Sequence, residues 1–338
     1  MVDRAFIATR GKGLARATPI TEGKWAVDTL LLDQEVCYLT ADPCNPNRLY
    51  VGTRGSGVLR SEDGGKTWQS AGLEGRIVKS IAICRADSQV IYAGTKPPGI
   101  FVTRNGGQTW TEQESFRRLR RWFWFTPAEP GDPYVMGLAV SPTDPNLVIA
   151  GVELGGTFRS VDGGQTWQGH LKSTSRDCHS LRFHQTNGNW VYQAGGGWPA
   201  AVSADGGLTW RQPRRGLGWS LYGMAVAADP ADPSIWYASA APYAVFPQLN
   251  KMPRGHFAGE ANAFLFRRRG NSRWERLGGG LPQPLDYMAY ALVTDSEAPG
   301  HLYAGLSNGD VWHTADYGDH WQQLPFNLGN IWTAMIIL

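Results

Sequence analysis

Short alternations of apolar and polar residues recur along the chain, and clusters of glycine, proline, asparagine and aspartate separate them. Alternation over about four to eight residues is typical of a β-strand with one buried face. A recurring block consists of an apolar strand, a polar corner and a second apolar strand that ends on Ala-Gly or Val-Gly, as in 39–53 and 138–151. No stretch has sustained helical periodicity, so the pattern predicts an all-β protein.

An octapeptide of the form Ser/Thr-x-Asp/Asn-Gly-Gly-x-Thr-Trp follows these blocks. Four well-formed copies occupy 61–68, 103–110, 160–167 and 203–210, and a looser copy occupies 314–321. Aspartate and asparagine accept N–H bonds within their own turn, glycine supplies positive φ, and tryptophan fills the gap between neighbouring units. We therefore predict a hairpin turn in which the following residues are structural: Asp63, Trp68, Asn105, Trp110, Asp162, Trp167, Asp205, Trp210, Asp316 and Trp321.

The spacing of the tryptophans gives the length of the repeating unit. The base period is about 43 residues, as from Trp25 to Trp68, which is the length of a four-stranded propeller blade. Two gaps are longer, at 57 and 64 residues. The excess predicts loop insertions at about 112–132 and 239–262 in an otherwise regular array.

The two ends of the chain look like parts of one unit. Residues 5–11 are predicted to form the second strand of a unit, but no first strand of that unit precedes them. Residues 331–338 are predicted to form an apolar strand with nothing after it. Pairing of the two would close the ring and remove exposed sheet edges. We therefore expect a single seven-bladed β-propeller of four-stranded antiparallel blades, with a composite blade from 1–30 and 329–338 and further blades at about 35–75, 76–115, 133–172, 176–215, 219–281 and 286–326.

Composition adds few constraints on function. The 338 residues include 42 glycines and 15 tryptophans, and the net charge of +3 is too small to predict a nucleic-acid binder. There is no apolar run of about 18 residues and no basic-then-apolar leader, so no membrane span is expected. Cys37, Cys84 and Cys178 fall on or beside the first strands of different units and Cys44 in a corner. We expect reduced thiols in a cytoplasmic protein, unless a signal peptide has been removed from the N-terminus.

The octapeptides are identified as Asp-box or BNR repeats, and nearly the whole chain resembles the sialidase-like propeller superfamily. The segment 6–14 also looks like the start of an uncharacterised bacterial BNR group of the YVTN/BNR-like kind. The superfamily includes sialidases, xyloglucan-type hydrolases, sortilin-type receptors and Ycf48-type photosystem II assembly factors. The resemblance implies a propeller and leaves the activity open, because one fold serves many functions.

In such a blade the box turns join the third strand to the fourth. They therefore lie at the end opposite the second-to-third loops and the connections between blades, and function is expected at that opposite rim. Basic and aromatic residues dominate the rim, which also carries Glu153, Asp177 and, in the second insertion, His256. A rim that merely collects solvated charges is the alternative. The candidate ligand- or partner-binding residues on it are Arg54, Arg76, Lys79, Arg176, His179, Trp198, Trp219, Tyr222, Asp286, Tyr287, Tyr290 and Trp332.

The first insertion carries an unusual concentration of arginine and tryptophan. Arginine binds carboxylates and phosphates through two parallel hydrogen bonds, and exposed arginine and tryptophan concentrate binding energy at interfaces. The segment therefore predicts an anionic partner, and an anchor that pins the loop is the alternative. Nucleic acid is a less favoured ligand because the net charge is small. The candidate binding residues of the insertion are Arg117, Arg118, Arg120, Arg121, Trp122 and Trp124.

An enzyme is the second interpretation. The resemblance to sialidases implies three arginines on a substrate carboxylate, a Tyr–Glu nucleophile pair and an acid/base aspartate. Arg54, Arg76 and Arg176 could supply the cations, and Tyr287 or Tyr290 could pair with a rim carboxylate, but the Arg-Ile-Pro segment of sialidases is absent. The histidines are too scattered to predict a metal, and no cofactor is expected.

The leading expectation is a non-catalytic binding or assembly-type propeller that holds an anionic ligand or an acidic protein segment. The alternative is an exo-acting glycoside hydrolase of the sialidase-like class.

Overall fold

The chain folds almost entirely into antiparallel β-sheet. A computed structural model describes residues 5–21, 23–119, 132–244 and 252–338. Within these ranges the helical segments are α1 (Glu114–Arg117) and a 3-10 turn at Arg254–His256. The first strands are β1 (Phe6–Thr9), β2 (Gly11–Thr21), β3 (Lys24–Asp42), β4 (Asn45–Thr53), β5 (Val58–Ser61), β6 (Gln69–Ser70), β7 (Ile77–Ile83), β8 (Ile91–Lys96), β9 (Ile100–Thr103) and β10 (Thr111–Glu112).

The remaining strands begin after the first insertion. They are β11 (Val135–Val140), β12 (Val148–Val152), β13 (Gly156–Ser160), β14 (Asp177–Phe183), β15 (Val191–Gly196), β16 (Ala201–Ser203), β17 (Tyr222–Ala228), β18 (Ile235–Ala241), β19 (Tyr243–Ala244), β20 (Met252–Pro253), β21 (Phe264–Arg269), β22 (Glu275–Arg276), β23 (Ala289–Thr294), β24 (Leu302–Leu306), β25 (Asp310–Thr314), β26 (Gln322–Asn327) and β27 (Met335–Ile337).

The strands form repeated four-stranded antiparallel units. Strands β7 to β10 make one such sheet, and β23 to β26 make another. Strands β17, β18, β21 and β22 pair in the same way, and β11 to β13 gain a fourth member through a bridge between Arg159 and Gln168. The first strands of consecutive units lie side by side. The prediction of an all-β protein built from four-stranded antiparallel sheets is confirmed.

Both ends of the chain belong to one continuous sheet in the order β27-β1-β2-β3-β4-β5-β6. Strand β27 pairs with β1, so that Phe6 lies opposite Ile337 and Ala8 opposite Met335. Strand β3 spans 19 residues. Its first half pairs with β2 and its second half with β4, so one strand serves two consecutive units.

Among the residues that the structure describes, a one-residue bulge interrupts the start of the first strand in six units. A bulge disrupts pairing locally and directs a side chain to a new position. Opposite the bulge, the second strand carries a small residue, which is glycine at Gly52, Gly94, Gly151 and Gly305. The bulged residues are Cys37, Lys79, Met136, His179, Met224 and Tyr290.

The glycines opposite the bulges let consecutive first strands approach closely. A Cβ atom on Gly52 would lie 2.5 Å from the carbonyl oxygen of Val78 in the next unit. A Cβ on Gly305 would lie 2.7 Å from Cδ1 of Ile331, and one on Gly151 would collide with Cys178. Real Cβ atoms do not tolerate such contacts. These positions therefore set the separation between neighbouring units.

The hydrophobic core lies between units rather than within them. Tyr50 and Val58 of one unit pack with Val78 and Ile91 of the next. At the junction of the chain ends, the ring of Phe6 lies 5.2 Å from that of Tyr303. Because such clusters are shared by neighbouring units, burial of apolar surface holds the array together.

The Asp-box side chains form the turn between the third and fourth strands. In the first box, Asp63 accepts the N–H groups of Lys66 and Thr67 at 3.0 and 2.9 Å, and Ser61 Oγ accepts the N–H of Gly65 at 2.8 Å. Hydrogen bonds from Thr67 and Ser61 hold the pKa of Asp63 well below its usual range. The aspartate is therefore occupied with backbone groups of its own turn.

The boxes also connect one unit to the next. In four boxes the carbonyl of the fourth residue accepts a hydrogen bond from a side chain of the preceding unit. The donor and acceptor pairs, with their distances, are Arg60 to Gly106 (3.3 Å), Tyr92 to Gly163 (3.1 Å), Arg159 to Gly206 (2.9 Å) and Arg267 to Tyr317 (2.8 Å). This connection is not visible in the octapeptide itself, because the donors lie outside it.

Substitution of a glycine opposite a bulge tests the close approach of the first strands. Gly52→Ala forces a methyl group against the Val78 carbonyl, so we expect the free energy of unfolding to fall by about 1–3 kcal/mol. Gly55→Ala is the control, because a Cβ there meets nothing within 4 Å. Urea-induced unfolding of both variants provides the measurement. Equal stability of the two variants would contradict the account.

Candidate functional site

The box turns and the first-to-second strand corners lie at the same end of the sheets. The N–H of Gly64 donates to the carbonyl of Asn47 at 2.9 Å, and that of Gly163 to Asn146 at 2.9 Å. We call this end the box face. The opposite end, where the first strands begin and the second-to-third loops lie, is called the entry face.

Tryptophans differ in exposure between the two faces. The tryptophans that end the boxes pack between units: Trp210 and Trp321 are buried, and Trp68, Trp110 and Trp167 are half-buried. Three predicted binding residues of the entry face are exposed, with 85% of Trp219, 53% of Trp332 and 37% of Trp198 accessible. The entry face therefore carries large apolar groups that the fold does not bury.

Cations lie against aromatic rings on the same face. The Arg214 guanidinium lies 3.3 Å from the ring centroid of Trp198, a cation–π contact. The ammonium groups of Lys79 and Lys96 lie 4.7 and 5.8 Å from the ring centroid of Tyr134. Lys79 is a bulged residue, so its position follows from the register of β7 and β8.

The predicted arginines have separate neighbours. Arg54 forms an ion pair with Glu35. Arg76 lies 5.0 Å from the ring centroid of Phe101. The charge of Arg176 acts on His170, where burial and this charge together lower the pKa of the imidazole. These contacts give no indication that the three guanidiniums share one substrate carboxylate.

The predicted residues His179, Tyr222 and Tyr290 come from different units and meet in one cluster. Asp177 and His256 complete this cluster, which is here called the entry cluster. The His179 ring lies 4.7 Å from that of Tyr222. His256 lies between two hydroxyls, with Nε2 2.7 Å from Tyr222 Oη and Nδ1 2.9 Å from Tyr290 Oη. The cluster thus joins β14, β17 and β23 with the 3-10 turn of the second insertion.

His179 carries a fixed positive charge in this cluster. Its Nδ1 lies 2.7 Å from the Gly223 carbonyl, and its Nε2 lies 3.3 Å from Asp177 Oδ1. The second contact is electrostatic, since Asp177 Oδ1 has no hydrogen-bond partner among the described residues. Burial opposes the charge, but the Asp177 carboxylate outweighs it and raises the pKa of His179 to about 9. His179 and Asp177 lie on β14, and Gly223 lies on β17 of the next unit. The two contacts of the His179 ring therefore link two units.

His256 and Tyr290 are neutral at physiological pH. Burial and then the charge of His179 lower the pKa of His256. A neutral imidazole accepts one hydrogen bond and donates one, so His256 forms a continuous chain with the two tyrosines. Burial raises the pKa of Tyr290 to about 12. The expected pairing of Tyr290 with a rim carboxylate does not match this arrangement, because its hydroxyl bonds to an imidazole.

Asp286 and Tyr287 lie beside the cluster, on the connection before β23. Asp286 is exposed, and its carbonyl accepts the N–H of Ala261 at 3.0 Å. Tyr287 is half-buried and packs against the apolar core of the last two units. The second insertion is therefore held to the entry face through Asp286 as well as through His256.

The described part of the arginine-rich insertion lies against the next unit. Phe116 of α1 packs edge-on against Phe158 and Trp167, at 5.6 and 5.2 Å between ring centroids. Arg117 lies 3.8 Å from Glu112, and Arg118 pairs with Glu114 at 3.0 Å. Phe116 is thus an aromatic anchor that holds the start of the insertion against the next unit. The other predicted residues of the insertion, Arg120, Arg121, Trp122 and Trp124, lie outside the described residues.

Other chemistries leave little trace in the structure. Within 5–21, 23–119, 132–244 and 252–338, no three histidine, cysteine or acidic side chains come together as a metal site would require. The described helices include none with the length and hydropathy of a membrane span. All four cysteines are free thiols, and burial raises the pKa of Cys178 to about 12.

Sequence reasoning did not select Asp177 and His256 as binding residues, although it placed both on the rim. Asp177 lies two residues before the bulged His179, and the bulges appear only when the second strands are aligned with the first. Lys79, His179 and Tyr290 occupy the same bulged position in three units, which an alignment of the repeats could have shown. His256 lies in an insertion, where the repeat gives no register.

The fold is shared with solved propeller proteins. An ancestral GH74 enzyme matches with a TM-score of 0.64 and 22% identity over 85% of this chain and 38% of its own. Ycf48 from Cyanidioschyzon merolae matches with a TM-score of 0.59 and 14% identity over 88% of this chain and 87% of its own. A structure titled Ycf48 bound to D1 peptide matches with a TM-score of 0.58 and 13% identity, over 96% and 84%.

The chain is therefore a β-propeller protein. It spans about two fifths of the length of the GH74 enzyme and most of the length of the Ycf48 chains. No protein-family model matches the sequence, and no curated protein does. At these identities the comparisons show the fold alone.

The charge on His179 makes stability depend on pH. Its folded pKa of about 9 exceeds the unfolded value of about 6.5. The stabilisation is therefore full below pH of about 6.5 and is lost as the pH rises through about 9. We expect the free energy of unfolding of wild type to exceed that of His179→Gln by roughly 1–2 kcal/mol at pH of about 6, and by less at pH of about 9.5. Urea unfolding of both proteins across this range is the measurement, and a constant difference would contradict the charged state.

Proposed function

We propose that the chain is a binding propeller whose entry face holds an anionic partner, an acidic segment of another protein. The proposal includes seven blades at the predicted boundaries and a ring closed by the pairing of β27 with β1. The four free cysteines support a reducing compartment such as the cytoplasm.

The exposed tryptophans carry the proposal. Trp198, Trp219 and Trp332 all lie on the entry face, whereas the box tryptophans are packed. Exposing an indole to water is unfavourable, and tryptophan and arginine are the residue types that concentrate binding energy at interfaces. Arg214 on Trp198, and Lys79 and Lys96 at Tyr134, place positive charge beside aromatic surface. A segment with carboxylates and apolar side chains complements that surface.

One structural neighbour supports a binding function. The match covers 84–87% of the Ycf48 chains, and one of them is described as bound to a peptide. Arg117 and Arg118, with side chains 57% and 77% exposed, remain part of the proposed binding surface.

A glycoside hydrolase is the second candidate, because the GH74 match has the higher TM-score and exposed indoles can also stack on sugars. The entry cluster does not favour it. The charge of His179 overcomes the effect of burial and lowers the pKa of Asp177, whereas a catalytic acid needs a raised pKa. Tyr290, with a pKa of about 12, is a poor nucleophile at neutral pH.

A peptide-display selection tests the binding proposal. We expect immobilised wild type to enrich peptides rich in aspartate and glutamate, with an affinity that falls as salt is added. Trp198→Ala, Trp219→Ala and Trp332→Ala combined should weaken binding of an enriched peptide by about tenfold or more. The control is Leu208→Ala with Val161→Ala, two exposed apolar residues of the box face.

Two outcomes would contradict the proposal. One is the absence of acidic peptides from the selection, and the other is unchanged affinity in the triple variant. Release of reducing sugar from xyloglucan or from a sialoside by wild type would instead establish the hydrolase.

A further inference from the structure

The outer strand of the first unit is much longer than most of the others. It is the first half of β3, residues 24–32, of which 24–30 pair with β2. The outer strands β6, β10 and β22 have two residues each. A short outer strand limits the number of unpaired backbone groups at the edge of a sheet, and the first unit lacks this protection.

This edge is open on one side. In the part of the chain that the structure describes, residues 24–30 form ladder pairs with β2 alone, and β4 pairs only from Val36 onward. The segment contains no proline. Its charged residues are Lys24 and Asp28, and the Asp28 carboxylate accepts a hydrogen bond from Arg16 of β2 at 3.1 Å. The edge can therefore accept another strand.

Exposed apolar side chains concentrate at this edge. Ile20 is 64% exposed, Val27 45% and Leu32 61%, and all three belong to β2 or β3. By contrast, Trp25 faces the last unit, where its ring lies 4.5 Å from that of Phe326. The edge thus combines unpaired backbone with apolar surface, which is the combination that favours strand addition.

We propose that residues 24–28 pair with the same five residues of a second copy of this chain, antiparallel and centred on Ala26. In this register Lys24 of each copy lies opposite Asp28 of the other, and Trp25 lies opposite Val27. Opposite charges in directly facing positions stabilise a strand pair, and like charges destabilise it. A register centred on Asp28 would place two carboxylates together. The self-complementary register gives a closed two-fold dimer.

The dimer should be weak and concentration-dependent. Five residues of strand span about 17 Å, and the contact involves two single strands rather than two sheet faces. Such a contact is smaller than the roughly 1,000 Å² of a stable interface. The edge belongs to β3 of the first unit and is separate from the entry face, so dimerisation and peptide binding can fail independently.

Sedimentation velocity across a concentration series tests the dimer directly. We expect wild type to shift from monomer to dimer as concentration rises, and Val27→Lys to stay monomeric because it places two like charges near the centre of the junction. Val161→Lys is the matched control, since Val161 is 51% exposed on a box turn. A wild-type protein that stays monomeric at every concentration would overturn the proposal.

Charge reversal tests the register. Lys24→Asp should weaken the dimer by roughly tenfold, because the new carboxylate of each copy faces Asp28 of the other, and adding Asp28→Lys should restore it. Oxidative cross-linking gives a second readout in the Cys44→Ser background, which removes the exposed native thiol. Ala26→Cys should then cross-link and Val161→Cys should not. Equal dimerisation of all charge variants, or cross-linking at position 161 alone, would contradict this register.

Discussion

The close approach of consecutive first strands is the constraint on which the rest of the structure depends. It is possible only where the second strand carries a very small residue opposite the bulge, as at Gly52 and Gly151. The bulge beside that small residue redirects a side chain, and in three units the redirected side chain is one of the site residues Lys79, His179 and Tyr290. The packing of the array and the composition of its candidate site therefore have a common origin.

The repeat made most of the fold predictable. The boxes predicted the antiparallel sheets and the turns within them, because each box hydrogen-bonds within its own octapeptide, as Asp63 does. Contacts between units were not predictable in this way. The donor Arg159 lies outside the box that it reaches, and the residues opposite one another depend on a bulge that a single sequence does not display. Only a few of the predicted site residues, such as His179 and Tyr290, meet in one cluster.

The two faces have different chemistry because their groups have different partners. On the box face, carboxylates accept backbone N–H groups of their own turn and indoles pack between sheets. On the entry face, Trp219 and Trp332 remain exposed, and cations lie against aromatic rings. The buried, charged side chain of His179 stabilises this face. It offers no free donor to a ligand, because its ring nitrogens face the Gly223 carbonyl and the Asp177 carboxylate. Recognition there rests on the exposed indoles and the cations around them.

The central claim is that a partner binds the entry face through its exposed indoles. Indole N–H signals of 15N-tryptophan-labelled protein report on both faces in one spectrum, after assignment by single substitutions. Titration with an acidic peptide should shift the signals of Trp198, Trp219 and Trp332 and leave those of Trp68, Trp167 and Trp210 in place. Shifts confined to the box tryptophans would contradict the account.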